Sequence, residues 1–260
     1  MTITTRALAT VVAAAALASS TLVPAQAAPA PVSRTPVAVA AAAVVTPPTA
    51  VTRGKLTRIF ARATRHTDAA LLRGAALRVR IQGGGQSATT TGRTRGGDTQ
   101  LRDADGVTSI IDGSSGSVYV PLSTFADRAS ADDLAAALLA LGKPDASWVV
   151  LAGGAVGSAP TGDLTELAAR ATHWTWKRSK GLTTWTLTGP AGRGVTFRSV
   201  VVLDKKQRVV SQSETRTGRG IRGSESQTVT VSYRHVSSVV IPATSDAVQF
   251  GALLDALLDV

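Results

Sequence analysis

Apolar residues recur at two spacings along this chain, and the switch between them marks out its elements. Leu56, Ile59, Phe60, Ala63, Ala70 and Leu71 return at helical intervals against Arg53, Lys55, Arg58, Arg62 and Arg65, which predicts an amphipathic helix starting near Thr52. Gly74 ends it, and Leu77, Val79 and Ile81 then alternate with Arg78, Arg80 and Gln82 in the period of a half-buried strand. Between Gly83 and Pro121, the runs Gly83-Gly84-Gly85, Gly96-Gly97 and Gly113-Ser114-Ser115-Gly116 punctuate short Thr, Val, Ile and Tyr segments, the signature of hairpins. Val107 to Ile111 with Ser117 to Val120 is the clearest pair.

Ser130 opens a second helix, with Asp132 and Asp133 in the first turn, where the helix dipole favours negative charge. Leu134, Leu138, Leu139 and Leu141 follow, and Gly142 and Pro144 stop it. Trp148 to Leu151 reads as a short apolar strand, and Asp163 to Ala171 as a third helix carrying Leu164 and Leu167. His173 to Lys177, Thr183 to Thr188, Val195 to Leu203, Arg208 to Thr215 and Gln227 to Tyr233 are strand-like and predict an antiparallel meander. The tail from Asp246 to Val260 places Phe250, Leu253, Leu254, Leu257 and Leu258 in helical register. Many antiparallel strands with a few helices packed on them make an α+β architecture.

The N-terminal pattern is different. Arg6, the apolar run Ala7 to Val23 and the small-residue ending Ala25-Gln26-Ala27 predict a signal peptide at 1–27, cleaved after Ala27, and hence a secreted protein. Residues 28–52 are Ala, Pro, Val and Thr with Pro29, Pro31, Pro36, Pro47 and Pro48 blocking helix, and read as a disordered linker ahead of a domain at 53–260. There is no Cys, which excludes a disulfide framework, thiolate metal sites and an attached lipid anchor. The expected product is a free extracellular protein of the cell envelope.

Charge and chemistry narrow the function further. The formal charge is +11, and the predicted signal removes only Arg6 from it. Such a field draws anionic membrane surfaces or wall polyanions. Nucleic acid is not expected, because the basic residues are scattered through strands and not interleaved with aromatics. Catalysis has no visible constellation: His66, His173 and His235 are isolated, no G-x-S-x-G surrounds a Ser, and Asp103 with Asp105 or Asp132 with Asp133 read as a turn and a helix start. Neither an enzyme, a metal site nor a cofactor is predicted.

What remains is apolar surface on a large sheet. Trp174 and Trp176 share a face of their strand, Trp185 and Leu187 a face of the next, and Val195, Phe197, Val201 and Leu203 a face of the third. These residues are either ordinary core or the lining of an apolar cavity on the inner side of a curved sheet. The candidate ligand-binding set is Trp174, Trp176, Trp185, Leu187, Phe197 and Val201.

Val118-Tyr119-Val120-Pro121 and then Gly142-Lys143-Pro144 before Trp148-Val149-Val150 resemble the "YV-x-P" and "GK-x-W-V" strands of the LppX/LprG branch of the LolA-like lipoprotein carriers. Val200 to Lys205 with the returning Arg208-Val209-Val210, and Val229 to Tyr233 followed by Val240-Ile241-Pro242, are similar to that family's later hairpin and its closing segment. The resemblance spans roughly Thr52 to Val248 and implies an antiparallel half-barrel sheet with helices on its concave face, around a cavity for the acyl chains of a lipid or lipoglycan. The branch's lipobox Cys is missing, so the resemblance points to a soluble carrier. The expected function is a secreted, non-enzymatic lipid-binding protein, with Arg193 or Arg198 as candidates to hold a headgroup near the mouth, or alternatively a cell-envelope protein binding wall polyanions through its basic surface.

Overall fold

The computed structural model describes residues 51–125, 129–151, 164–192, 194–221 and 223–259; the predicted signal peptide, the linker before Val51 and Arg193 lie outside them. Helix α1 (Arg53–Arg73) starts where the pattern places it, with the Thr52 hydroxyl accepting from the Lys55 amide at 3.4 Å. It stops at Gly74, whose φ of +127° suits only a residue without a side chain and whose amide caps the Ala70 and Leu71 carbonyls.

Two meanders follow. β1 (Ala75–Gly83), β2 (Gln86–Arg95), β3 (Asp98–Arg102), β4 (Thr108–Ile111), β5 (Val118–Pro121) and β6 (Trp148–Leu151) lie side by side in chain order. So do β7 (His173–Ser179), β8 (Leu182–Gly192), β9 (Val195–Leu203), β10 (Val209–Gly218) and β11 (Glu225–Ser232). Antiparallel pairing of β1 with β11, from Ala76 opposite Ser232 to Gln82 opposite Ser226, fuses them into one sheet. The predicted strands and hairpins are therefore present, including Ile110 opposite Tyr119 and Ile111 opposite Val118 in the clearest hairpin.

The tail departs from its prediction. Ala247–Gln249 forms β12, which adds to the edge of β6 in parallel and completes an open sheet of 12 strands; helix begins only at Phe250. Three residues with no alternation give no strand signal of their own, and the free edge of β6 supplies the partner that makes them one. Helices α2 (Ala131–Ala140), α3 (Leu164–Arg170) and α4 (Phe250–Leu258) complete the fold. Among the described residues no helix is long and apolar enough to cross a membrane.

Register shows that the helices share one side. Trp185, Val201, Gln212, Val229, Val79 and Thr90 are successive cross-strand partners, so all point to the same face. Stepping outward through Leu77, Gly92 and Leu101 on one row and Thr94, Thr99, Ile111 and Val118 on the next leads to Val149 and Val248 on that same face. Three apolar clusters occupy it. Leu56, Phe60 and Ala63 of α1 and Leu164, Leu167 and Ala168 of α3 pack on Trp185, Leu187, Phe197, Val201 and Leu203. Ala137 and Leu138 of α2 and Leu253 of α4 pack on Val149 and Val248. Between these flanks, Leu77, Val79, Leu101, Ile111, Val229 and Val231 form a central cluster to which α1 contributes Leu71.

The chain crosses from β11 to β12 along the opposite face. Arg93 and Arg95 point there, Arg95 donates to the Val236 carbonyl at 2.8 Å, and Arg93 donates to the Ser237 hydroxyl. Val239 is buried in this crossing.

Candidate functional site

The site predicted from sequence is brought together on the helix-bearing face. Trp185, Leu187, Phe197 and Val201 are buried beneath α1 and α3, while Trp174 and Trp176, on the edge strand β7, are half-buried against the same cluster. The aromatic rings make a chain: Phe60 meets Trp185 edge to face at 5.8 Å, and Trp176 lies 5.9 Å from Trp185. Trp174 donates to the Val51 carbonyl at 2.8 Å and lies under the Arg53 guanidinium, which itself donates to the Ala169 and Ala171 carbonyls at the end of α3. These contacts tie the start of α1 to α3 and to the sheet edge.

The face is not uniformly apolar. Trp176 is opposite Trp185, Trp185 opposite Val201, and Val201 opposite Gln212, so the four form one row across β7 to β10. Three of them carry buried polar atoms without a hydrogen-bond partner: the indole Nε1 of Trp176, that of Trp185, and Oε1 of Gln212. One step along the strands, the buried Ser199 hydroxyl is also unpartnered. A group left in this condition costs about 1–3 kcal/mol, so such a concentration on one face is a chemical feature of it.

Beside that row stands a charged cluster. Glu214 accepts from Arg216 at 2.8 Å and lies 3.9 Å from Arg170, which also approaches Glu166 at 3.8 Å and stacks over Phe197. It was not visible in the sequence, because Glu214 and Arg216 alternate with Ser and Thr in a strand with no apolar stripe after Val210. Arg198, a sequence candidate for a headgroup contact, pairs across from Thr188 and Thr215 and so points away from this face. A headgroup held on the helix side is out of its reach, and Arg193 lies outside the described residues.

At the end of the sheet a second polar assembly fastens α1 to the β9–β10 turn. The buried Thr67 hydroxyl accepts from the Val209 amide at 2.9 Å, and the Tyr233 hydroxyl donates to the Val209 carbonyl at 2.6 Å. Arg208 stacks on the Tyr233 ring and donates to Asp204 at 2.6 Å. Burial opposes ionisation of Asp204, but hydrogen bonds from the Arg208 side chain and backbone, with its charge and the Lys206 amide, hold the carboxyl below its ordinary value. Burial pushes the Tyr233 phenol up to about 12.

Of the groups weighed for catalysis, several make local or cross-element hydrogen bonds. Asp103 accepts from the Asp105 and Val107 amides in a turn, and Ser130 caps the Asp133 amide at 3.0 Å at the start of α2. His66 bonds the Lys206 carbonyl at 2.8 Å; His173 and His235 are exposed. No cluster of metal-ligating side chains occurs among the described residues. Two open depressions lie along the exposed residues of α1: one against His66, Ala69, Arg73, Lys206 and Arg208, the other against Lys55, Arg58, Ile59 and Arg62.

No family model matches the sequence, and no curated protein matches it. Solved structures that this chain is similar to include an uncharacterized conserved protein from Thermus thermophilus, at 8% identity and a TM-score of 0.40, covering 72% of this chain and 96% of that one. A candidate outer membrane lipoprotein-sorting protein domain from Vibrio parahaemolyticus matches at 8% identity and a TM-score of 0.25, covering 69% of this chain and 91% of that one. A DUF1329 family protein from Desulfovibrio piger matches at 12% identity and a TM-score of 0.22, covering 68% and 91%. These are distant likenesses, and none assigns a ligand to this chain.

Proposed function

We propose that this chain is an exported, non-enzymatic carrier that holds the acyl part of an amphipathic lipid or lipoglycan on the helix-bearing face, with the sheet curved into a half-barrel and that face concave. The observation that carries this reading is the row Trp176, Trp185, Val201 and Gln212, where two indole N–H donors and one amide oxygen lie unpartnered among apolar side chains. An ester carbonyl accepts from an indole N–H, a headgroup hydroxyl donates to an amide oxygen, and acyl chains fill the apolar surroundings. Each buried CH₂ contributes about 0.8 kcal/mol, so the chains supply affinity and the polar row supplies orientation.

The arrangement of the helices supports the same reading. α1 packs with α3 and α2 with α4, each pair on its own cluster, and the central cluster between them is reached from α1 through Leu71. A chain entering between the pairs displaces Leu71 of α1 from the central cluster and leaves the α2–α4 cluster untouched.

The test is native mass spectrometry of the secreted protein, followed by organic extraction and lipid analysis, on wild type and Gln212→Leu. A stoichiometric lipid adduct, reduced in Gln212→Leu while thermal stability is kept or raised, is the expected result, because removing an unpartnered buried polar group does not destabilise the empty protein. An apo mass unchanged after incubation with phospholipids and glycolipids overturns the proposal.

A further inference from the structure

The solvent side of α1 carries Lys55, Arg58, Arg62, Arg65 and Arg73, all exposed, in one stripe along a helix of 21 residues, about 30 Å long. None of these cations is in an ion pair among the described residues. The stripe works against the helix that bears it. Its first turn holds basic residues and no acid at the positive end of the dipole, and Arg58 repels Arg62 one turn on. The carboxylate at the nearby turn, Asp204, is already committed to Arg208.

Two hairpin tips extend the patch. His66 joins α1 to Lys206 in the β9–β10 turn, and Lys205 of that turn lies across Gly181 in the β7–β8 turn, next to Lys180. Leu72 flanks the helical stripe at 56% exposure. Cations beside an exposed leucine match a lipid headgroup layer, which presents anionic groups above an apolar interior; a dissolved polyanion offers nothing to the leucine.

We infer that the outer face of α1, with the β7–β8 and β9–β10 turns, is a docking surface for an anionic phospholipid bilayer. The inference is independent of the carrier reading, since it concerns the side of α1 that faces away from the sheet. The cations lie in a headgroup layer, Leu72 reaches below it, and the two open depressions seat lipid phosphates against Arg58 and Arg62 and against Arg73 and Lys206.

The experiment is vesicle co-sedimentation of the secreted protein with phosphatidylcholine alone and with added phosphatidylglycerol, at low and moderate salt. Wild type is expected to sediment only with the anionic vesicles and to be released as salt shortens the reach of the charges. Combined Arg58→Gln, Arg62→Gln and Lys206→Gln should weaken binding on the order of a hundredfold. Leu72→Ser should weaken it severalfold at unchanged salt dependence. These exposed positions leave the fold intact, which circular dichroism verifies. Equal binding to both vesicle types, or binding to soluble polyphosphate with none to anionic vesicles, overturns the inference.

Discussion

The two flanks of the sheet are built by opposite means. On the β7–β10 side the strands run 7 to 11 residues, pair consecutively, and bury an aromatic core of Phe60, Trp185 and Phe197 beneath α1 and α3. On the β6–β12 side the strands are 3 or 4 residues long, the edge pair is parallel, and the core under α2 and α4 is mostly aliphatic, with Phe125 and Phe250 packed at its margin. Long hairpins supply their own register, so the first flank needs only local partners and α1. The second is assembled from β6 and from a chain end that returns across the opposite face to reach it.

The sharpest way to break the contrast is to excavate each flank in turn. Phe60→Ala should cost about 3–5 kcal/mol in denaturant unfolding, because Phe60 is fully buried and touches Trp185. Leu253→Ala should cost about 3 kcal/mol, with amide exchange accelerated in α4 and β12 before β8 and β9. Of the chain's 4 tryptophans, Trp148 alone stands on the second flank, so fluorescence of Trp148→Phe reports the first flank selectively. Coincident transitions in wild type and Trp148→Phe would mean that the flanks unfold as one unit despite their separate cores.

Smaller effects sharpen the picture at the joint between α1 and the β9–β10 turn. Asp204→Asn should cost about 1–2 kcal/mol at neutral pH. With its pKa lowered on folding, the stabilisation from Asp204 is present above pH 3.8 and lost as pH falls through the depressed value, so the variant should show a flatter acid limb in thermal melts. Tyr233→Phe should cost about 1 kcal/mol. The Tyr233 phenol ionises in the unfolded chain at about pH 10 and in the folded chain only at about 12, so wild type loses stability across that interval and the Phe variant loses less.

The same contrast separates what the sequence announces from what it conceals. The meander from His173 to Tyr233 was legible because alternation and turn residues repeat at short range, and strand parity alone put Trp185 with Leu187 on one face of their strand and Phe197 with Val201 on one face of the next. β2 was only partly legible: Gln86–Arg95 contains no large apolar residue, and it is a strand because β1 and β3 pair with it on both sides. β12 was hidden for a similar reason. The unpartnered atoms of Trp176, Trp185 and Gln212 were beyond reach, since a row across four strands exists only once the register does. By contrast, the cations of α1 were plain in the sequence, and the structure adds the two turns beside them.

The seam between β1 and β11 sets the order in which this molecule can come into being. Ala76 finds Ser232 only after nearly all of the domain has been made, so β1 waits with one hydrogen-bonding edge open while β2 to β10 appear behind it. Contacts this distant in sequence make for slow closure. The unfinished sheet is thus exposed to pairing with other chains until the seam zips, and the cations at Arg78 and Arg80, outward-facing on that waiting strand, keep like copies apart in the meantime.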